Sequence, residues 1–314
     1  MQSLTLRRAG SGLVLLGALA VPAAGQDSTA PASAATPAAA STPAAPPERA
    51  VRSPGNAEWA TTAEAAVARA REQHKLVFYE FASPRCDNCS RMDTLLYPAF
   101  DFEALLIGMV PVKIALDTSN GIKIAERFGI KEAPAVVITT AEGRLAFMMK
   151  GFKDPQDFYG HVHRDLETHR AFSKKIDAQN VATLPAAEAL ASARQLAARL
   201  DYAEARPRFR RAATAPGSKP EVREAAMEGL ASTELEVGDS VESRKTIDKL
   251  IRTTQNADTK ERAELFRAQI PLAERKPDEA LALYKKFEKD HPRSRYLDQV
   301  RTLIERLTPG EAPR

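Results

Sequence analysis

The sequence is poor in the residues that bind metals and form disulfides. Its 314 residues include only two cysteines, Cys86 and Cys89, and five histidines. A zinc site would need two ligands beyond the cysteines. The only histidines close in sequence, His161 and His163, would lie on different faces of a helix. We therefore expect no metal site, and nothing in the sequence calls for an organic cofactor.

A strong net charge and a long apolar run are also missing. The formal charge of +4 favours no particular partner and does not indicate a nucleic-acid surface. The apolar run 13–21 is too short to span a membrane. With Arg7 and Arg8 before it and small residues at 23–25, it predicts a signal peptide over residues 1–25. A periplasmic or secreted protein without a membrane span follows, and an uncleaved N-terminal anchor is the alternative.

Residues 26–55 are almost entirely Ala, Pro, Ser and Thr. Frequent proline blocks regular helix, and the lack of large side chains leaves no core to bury. We interpret this stretch as a disordered linker, with local helix as the alternative.

Residues 56–172 alternate between helical and strand patterns. The apolar stretches 76–81 and 109–116 predict strands, and 133–138 and 145–149 predict a hairpin with Gly143 in its turn. Helices are predicted to open at Trp59, to follow the cysteines as far as Pro98, and to cover 102–107, 122–128 and 155–169. This order predicts a layered α/β domain.

The two cysteines fall at the predicted turn between the first strand and the next helix. Two thiols separated by two residues can form a redox-active pair, a static disulfide or part of a metal site. A position at a helix N-terminus favours redox chemistry because the helix dipole stabilises a thiolate.

Residues 56–170 resemble the thioredoxin fold, and in particular secreted thioredoxin-like proteins and the domains of disulfide isomerases. The resemblance depends on Cys86-Asp87-Asn88-Cys89, on Pro134 before the hairpin strand, and on Gly143. The segment from Glu80 to Cys86 also parallels the residues ahead of the isomerase cysteine pair.

The resemblance implies a role for each matching residue. Cys86 would be the exposed nucleophile and Cys89 the resolving thiol. Glu80 would be a buried carboxylate that accepts the proton of the resolving thiol, with its pKa raised toward neutrality. Pro134 would be a cis-proline beside the cysteines, and the backbone at Ala133 would pair with an extended substrate.

Arg85 departs from the family pattern. The family usually has tryptophan just before the first cysteine, so an aromatic platform is missing here. We expect Arg85 to contact substrate and to add positive charge near Cys86, while Asp87 opposes it. The Asp-Asn insert does not indicate whether the pair reduces or oxidises.

Residues 178–308 have only helical patterns. Similar helix starts at 201–205, 238–243 and 276–280 are each followed by a large apolar residue, at Phe209, Ile247 and Tyr284. These units resemble tetratricopeptide repeats, with a longer spacing than usual, and residues 296–307 would cap them. The prediction is an all-α solenoid of helical hairpins that binds a peptide or protein, or alternatively only packs on the first domain.

The sequence therefore predicts an exported thiol–disulfide oxidoreductase that acts on protein thiols and disulfides, with helical repeats that recruit partners. The alternative is a non-catalytic interaction scaffold in which the thioredoxin-like domain is a platform with a structural disulfide.

Overall fold

The computed structural model describes residues 58–308. The predicted signal peptide and the whole predicted linker therefore lie outside the described residues. The helices are α1 (Ala63–Gln73), α2 (Asp87–Arg91), α3 (Phe100–Leu106), α4 (Ser119–Arg127), α5 (Pro155–Asp177), α6 (Ala186–Ala197), α7 (Tyr202–Thr214), α8 (Pro220–Glu236), α9 (Ser240–Thr253), α10 (Ala257–Ala273), α11 (Pro277–Asp290) and α12 (Leu297–Leu307). The strands are β1 (Leu76–Ala82), β2 (Met109–Ala115), β3 (Ala135–Thr139) and β4 (Leu145–Lys150), and a π-helical turn, Met92–Leu96, follows α2.

The four strands form one sheet in the order β2-β1-β3-β4. β1 is parallel to β2, whereas β3 is antiparallel to both β1 and β4. β3 and β4 form the predicted hairpin, in which Gly143 has a φ of +96°. The prediction of a layered α/β domain is confirmed.

A buried core lies on each face of the sheet because alternate side chains of β1 point to opposite sides. Phe78 packs in the core that contains the π-helical turn, α3 and α5. Tyr79 and Phe81 pack on the other face with α1 and α4. Both faces are covered, so β1 is apolar along almost its whole length.

Two helix boundaries differ from the predictions by four residues or more. α1 begins at Ala63, after the N-cap Thr62, and not at Trp59. Trp59 instead packs edge-on against Phe78 and Tyr97, because an aromatic side chain gains more from burial there than from a place in the helix. α5 ends at Asp177 and not at residue 169. Its last turns are retained because Ile176 is buried in the next core.

Residues 186–307, called the helical region below, contain α6 to α12. Each helix packs on the one that follows it. Three turns between paired helices share a residue with positive φ, at Leu200, Gly238 and Arg275. The predicted fold class, an α/β domain followed by an all-α region, is confirmed. The assignment to tetratricopeptide repeats stays a prediction.

Candidate functional site

Cys86 and Cys89 form a disulfide at the start of α2. Cys86 is the N-cap of α2, and its Sγ accepts a hydrogen bond of 3.0 Å from the backbone N–H of Cys89. Cys86 is half-buried, while only 5% of Cys89 is exposed. An external thiolate can therefore reach the sulfur of Cys86 more readily than that of Cys89.

The position of Cys86 also favours its thiolate. Backbone N–H groups in the first turn of a helix have no intrahelical partner, so they stabilise a negative charge at the N-cap. The Sγ of Cys86 already accepts one such hydrogen bond. A reduced Cys86 can therefore act as a nucleophile or as a leaving group.

Arg85 and Asp87 flank Cys86 and are both exposed. Neither side chain forms a salt bridge within residues 58–308. Their opposite charges flank Cys86 in the sequence, and both side chains are open to solvent. The predicted substrate contact of Arg85 stays a prediction.

Glu80 is completely buried in β1. Its register partner in β2 is Lys113, and Lys113 Nζ lies 3.3 Å from Glu80 Oε1. Neither carboxylate oxygen has a hydrogen bond of normal geometry to another described residue. Burial raises the pKa of Glu80 to about 7, although the positive charge of Lys113 opposes this shift. A carboxyl group with this pKa can accept or release a proton near neutral pH.

Two further residues complete this buried cluster. Lys113 Nζ donates a hydrogen bond of 3.1 Å to Asp93 Oδ1, in the π-helical turn. The hydroxyl of Tyr97 is buried without a hydrogen-bond partner in the described part of the chain. Burial and the neighbouring Glu80 raise the pKa of Tyr97 well above its usual value. The carboxyl group of Glu80 is therefore surrounded by one cation, one exposed carboxylate and one neutral phenol.

Our sequence reasoning missed Lys113, Asp93 and Tyr97. Lys113 is the one charged residue in the apolar stretch 109–115, and this pattern was a usable signal. A charged side chain is seldom placed in a buried strand without a partner. Asp93 and Tyr97 carry no comparable signal, because only the fold brings them to Glu80.

The peptide bond between Ala133 and Pro134 is cis. Pro134 immediately precedes β3, whose first residue, Ala135, pairs with Phe81 near the end of β1. The cis-proline loop and the disulfide therefore lie at the same end of the two central strands, β1 and β3. Ala133 is half-buried and has no backbone hydrogen bond to another described residue. Its backbone can therefore accept or donate a hydrogen bond to a bound chain.

An aromatic side chain that we did not predict lies beside this loop. The N–H of Gly151 donates a hydrogen bond of 2.8 Å to the C=O of Pro134, and Phe152 comes next in the chain. The guanidinium group of Arg91, at the end of α2, lies 4.1 Å from the centre of the Phe152 ring. Phe152 therefore contacts α2, which begins at the disulfide, and follows the residue whose backbone is bonded to the cis-proline.

His161 and His163 are both exposed on α5. Within residues 58–308, no group of three or more His, Cys, Asp or Glu side chains is arranged to hold a metal ion. None of the helices in the same residues is long and apolar enough to cross a membrane.

Comparison with known protein families agrees with this geometry. Residues 63–165 match the family model of the thioredoxin-like domain. This part of the chain is a thioredoxin-like domain. The match contains the disulfide, Glu80 and the cis-proline, and it ends within α5. The helical region lies outside it.

Solved structures similar to the thioredoxin-like domain include thioredoxins and Dsb proteins. A thioredoxin from Thermus thermophilus is 21% identical and aligns over 34% of this chain and 85% of its own, with a TM-score of 0.32. The DsbH oxidoreductase is 16% identical over 37% of this chain and 88% of its own, with a TM-score of 0.31. The C-terminal domain of Neisseria meningitidis DsbD in its oxidised form is 15% identical over 32% and 90%, with a TM-score of 0.29. No curated protein matches the chain.

Proposed function

We propose that the thioredoxin-like domain catalyses thiol–disulfide exchange with protein substrates. The observation that supports this most strongly is the unequal exposure of the two cysteines at a helix N-terminus. Cys86 is accessible and capped by a backbone N–H, while Cys89 is buried behind it. Glu80, whose pKa is about 7, supplies a titratable group in the same domain.

In the reducing direction, the Cys86 thiolate attacks one sulfur of a substrate disulfide. A mixed disulfide forms between Cys86 and the substrate as the substrate disulfide breaks. The leaving sulfur departs as a thiolate that takes a proton from solvent. Cys89 then loses its proton to the carboxylate of Glu80 and attacks the sulfur of Cys86. The mixed disulfide breaks, the second substrate thiolate is released, and the disulfide seen here is formed. The oxidising direction uses the same steps in reverse.

The cis-proline loop and Arg85 would bind the substrate. An extended chain laid beside Ala133 would form backbone hydrogen bonds there, as strands do at a sheet edge. The exposed guanidinium group of Arg85 would contact the side chains that flank the substrate sulfur. Phe152 supplies an aromatic surface near the site, although not at the position where the family has tryptophan.

Reduction of insulin disulfides in the presence of dithiothreitol tests the activity, with Cys86→Ser and Cys89→Ser as a matched pair. Neither variant should turn over. Cys89→Ser should accumulate a mixed disulfide with a substrate peptide, because the resolving thiol is missing, and Cys86→Ser should not. If wild type shows no turnover and Cys86 resists alkylation after reduction, the enzymatic proposal is wrong.

A static disulfide in a non-catalytic scaffold is the second candidate. It is favoured by the cap that Cys86 makes on α2, because the disulfide then stiffens the turn that starts the helix. Equilibration with glutathione buffers measures the reduction potential of the disulfide and so distinguishes the structural from the catalytic role. A reduction potential below about −300 mV indicates a structural disulfide, and a higher reduction potential indicates exchange chemistry.

The proposal also includes export and partner recruitment by the helical region. The basic start, the apolar run 13–21 and the small residues at 23–25 support export. Fractionation of cells that express the full chain, followed by N-terminal sequencing, tests it. Cleavage near residue 25 is expected, and recovery of the intact N-terminus in the cytoplasm would contradict it.

A further inference from the structure

The thioredoxin-like domain contacts the helical region through the turn between β3 and β4. The N–H of Leu145 donates a hydrogen bond of 2.7 Å to the C=O of Arg199, in the loop between α6 and α7. The guanidinium group of Arg199 donates one of 3.3 Å to the C=O of Leu145. Leu200 packs against the core on one face of the sheet. Hydrogen bonds in both directions and an apolar contact therefore hold the loop 198–201 against the turn 140–144 and Leu145. We call this contact the junction.

A buried ion pair lies at the centre of the junction. Arg144 Nε donates a hydrogen bond of 2.7 Å to Asp201 Oδ2, and the two side chains are 11% and 2% exposed. The other oxygen of Asp201 accepts a hydrogen bond from the N–H of Glu204 and so caps α7. Arg144 also donates to Ser173 Oγ, in α5. Both charges are thus hydrogen-bonded, as a buried pair requires.

The same arrangement recurs one helix pair further on. Asp239 caps α9 through the N–H of Glu242, just as Asp201 caps α7. Asp239 also accepts a hydrogen bond of 3.4 Å from Arg206 Nη2, in α7. In both turns the N–H of the capping aspartate is bonded to a backbone carbonyl five residues earlier. The helix pair α6–α7 therefore supplies an arginine to the capping aspartate of the pair that follows it.

Arg144 makes the corresponding contact with the capping aspartate of α7, from the turn between β3 and β4. Arrays of helical repeats need a terminal unit that covers the exposed face of the first repeat. We propose that the β3–β4 turn of the thioredoxin-like domain, together with the last turns of α5 that carry Ile176, is this N-terminal cap, and that Arg144 takes the place of an arginine from a preceding repeat. The junction then fixes the helical region in one orientation on the domain.

The junction lies at the end of the sheet opposite the disulfide. Thr139, where the turn begins, is paired with Val77 at the start of β1, while the disulfide follows the other end of that strand. Seven residues of β1 span about 20 Å. The contacts of the junction therefore lie away from Cys86.

The test compares Arg144→Ala with Arg206→Ala in the full chain. Each variant removes an arginine that pairs with a capping aspartate, one at the junction and one inside the helical region. Amide hydrogen exchange is measured for residues 140–146 and 236–240. Arg144→Ala should accelerate exchange in the first segment at least about tenfold, the effect of losing one hydrogen bond to a charged group. Arg206→Ala should affect only the second segment.

Unfolding in urea gives a second measurement. Fluorescence of Trp59, the one tryptophan in the chain, follows the thioredoxin-like domain, and far-ultraviolet circular dichroism follows mainly the helices. The two transitions should coincide in wild type and Arg206→Ala and should separate in Arg144→Ala. If Arg144→Ala does not fold, Asp201→Asn replaces it, since asparagine keeps the cap but loses the charge. Unchanged exchange at 140–146 with coincident transitions, or equal separation in Arg206→Ala, would overturn the proposal.

Discussion

Lys113 Nζ lies 3.3 Å from Glu80 Oε1 and 3.1 Å from Asp93 Oδ1. The lysine therefore divides its charge between a completely buried carboxyl group and one on the surface. Glu80 receives less stabilisation of its anion than a dedicated partner would provide. Burial therefore raises the pKa of Glu80 to about 7 in spite of the neighbouring cation, and the charge of Asp93 adds to the rise.

Replacing Asp93 with asparagine should lower the pKa of Glu80. The variant frees Lys113 to turn toward Glu80, and it removes a negative charge that raises this pKa. We expect a decrease of up to about one unit. Carbon NMR titration of the Glu80 carboxyl in the oxidised protein measures it, with the exposed Glu103→Gln as the control. An unchanged or higher value would show that Asp93 does not compete for Lys113.

In wild type, the free energy of unfolding should fall as the pH rises because of Glu80. Glu80→Gln should abolish this fall. The carboxyl has a pKa of 4.5 when unfolded and about 7 when folded, so the unfolded state loses its proton first. The associated stability is present below pH 4.5 and is lost by about pH 7, an effect of about 3 kcal/mol. Urea unfolding of both oxidised proteins at several pH values measures it. An identical pH dependence in the two proteins would contradict this assignment.

His169→Gln should have the opposite effect. Burial and the nearby Arg199 and Arg144 lower the pKa of His169 from 6.5 to about 4. Stability is then fully present above pH 6.5 and is lost as the pH falls through about 4, by about 2 to 3 kcal/mol. His169→Gln should abolish this acid-side loss, and the exposed His163→Gln should not.

The pH ranges in which Glu80 and His169 change the free energy of unfolding overlap between pH 4.5 and 6.5. In that range the two effects have opposite signs. Wild-type stability should therefore change little in that range, while each single variant should reveal the slope of the other group. Glu80→Gln should become less stable on acidification, and His169→Gln less stable as the pH rises. The same slope in both variants would show that the two groups do not oppose each other.

Gly143→Ala should destabilise the β3–β4 turn. Gly143 has a φ of +96°, and an added Cβ would lie 2.2 Å from Arg127 Nη2. We expect a loss of about 1 to 3 kcal/mol. Gly160→Ala is the control, because it lies in α5 with open space around it and should stabilise by up to about 1 kcal/mol. A turn that tolerated alanine as well as α5 does would refute the strain argument.

Phe152→Ala should raise KM for peptide disulfides several-fold while leaving exchange with oxidised glutathione nearly unchanged. A small disulfide reaches Cys86 without the surface that Phe152 and Arg91 form beside the cis-proline loop. Phe100→Ala is the control, since its ring is 80% exposed on α3. Equal losses with both substrates would indicate a general effect on the domain.

The local features of this protein were readable because neighbouring residues determine them. Short continuous apolar stretches predicted the strands, and Gly143 marked the hairpin turn. The spacing of the cysteines suggested their disulfide. Helix ends were less predictable, since Trp59 and Ile176 take their places from tertiary burial. The roles of Arg85 and Ala133 in substrate binding stay predictions.

The sequence by itself determined the order of the elements and the place of the cysteine pair after the first strand, because short-range periodicity and spacing carry that information. Only the tertiary structure decided which charges meet. Lys113 comes to Glu80 from β2, while Asp93 and Tyr97 come from the π-helical turn and its end. Arg144 reaches Asp201 across 57 positions of sequence. Such contacts depend on how the layers pack, and packing joins residues that no local pattern connects.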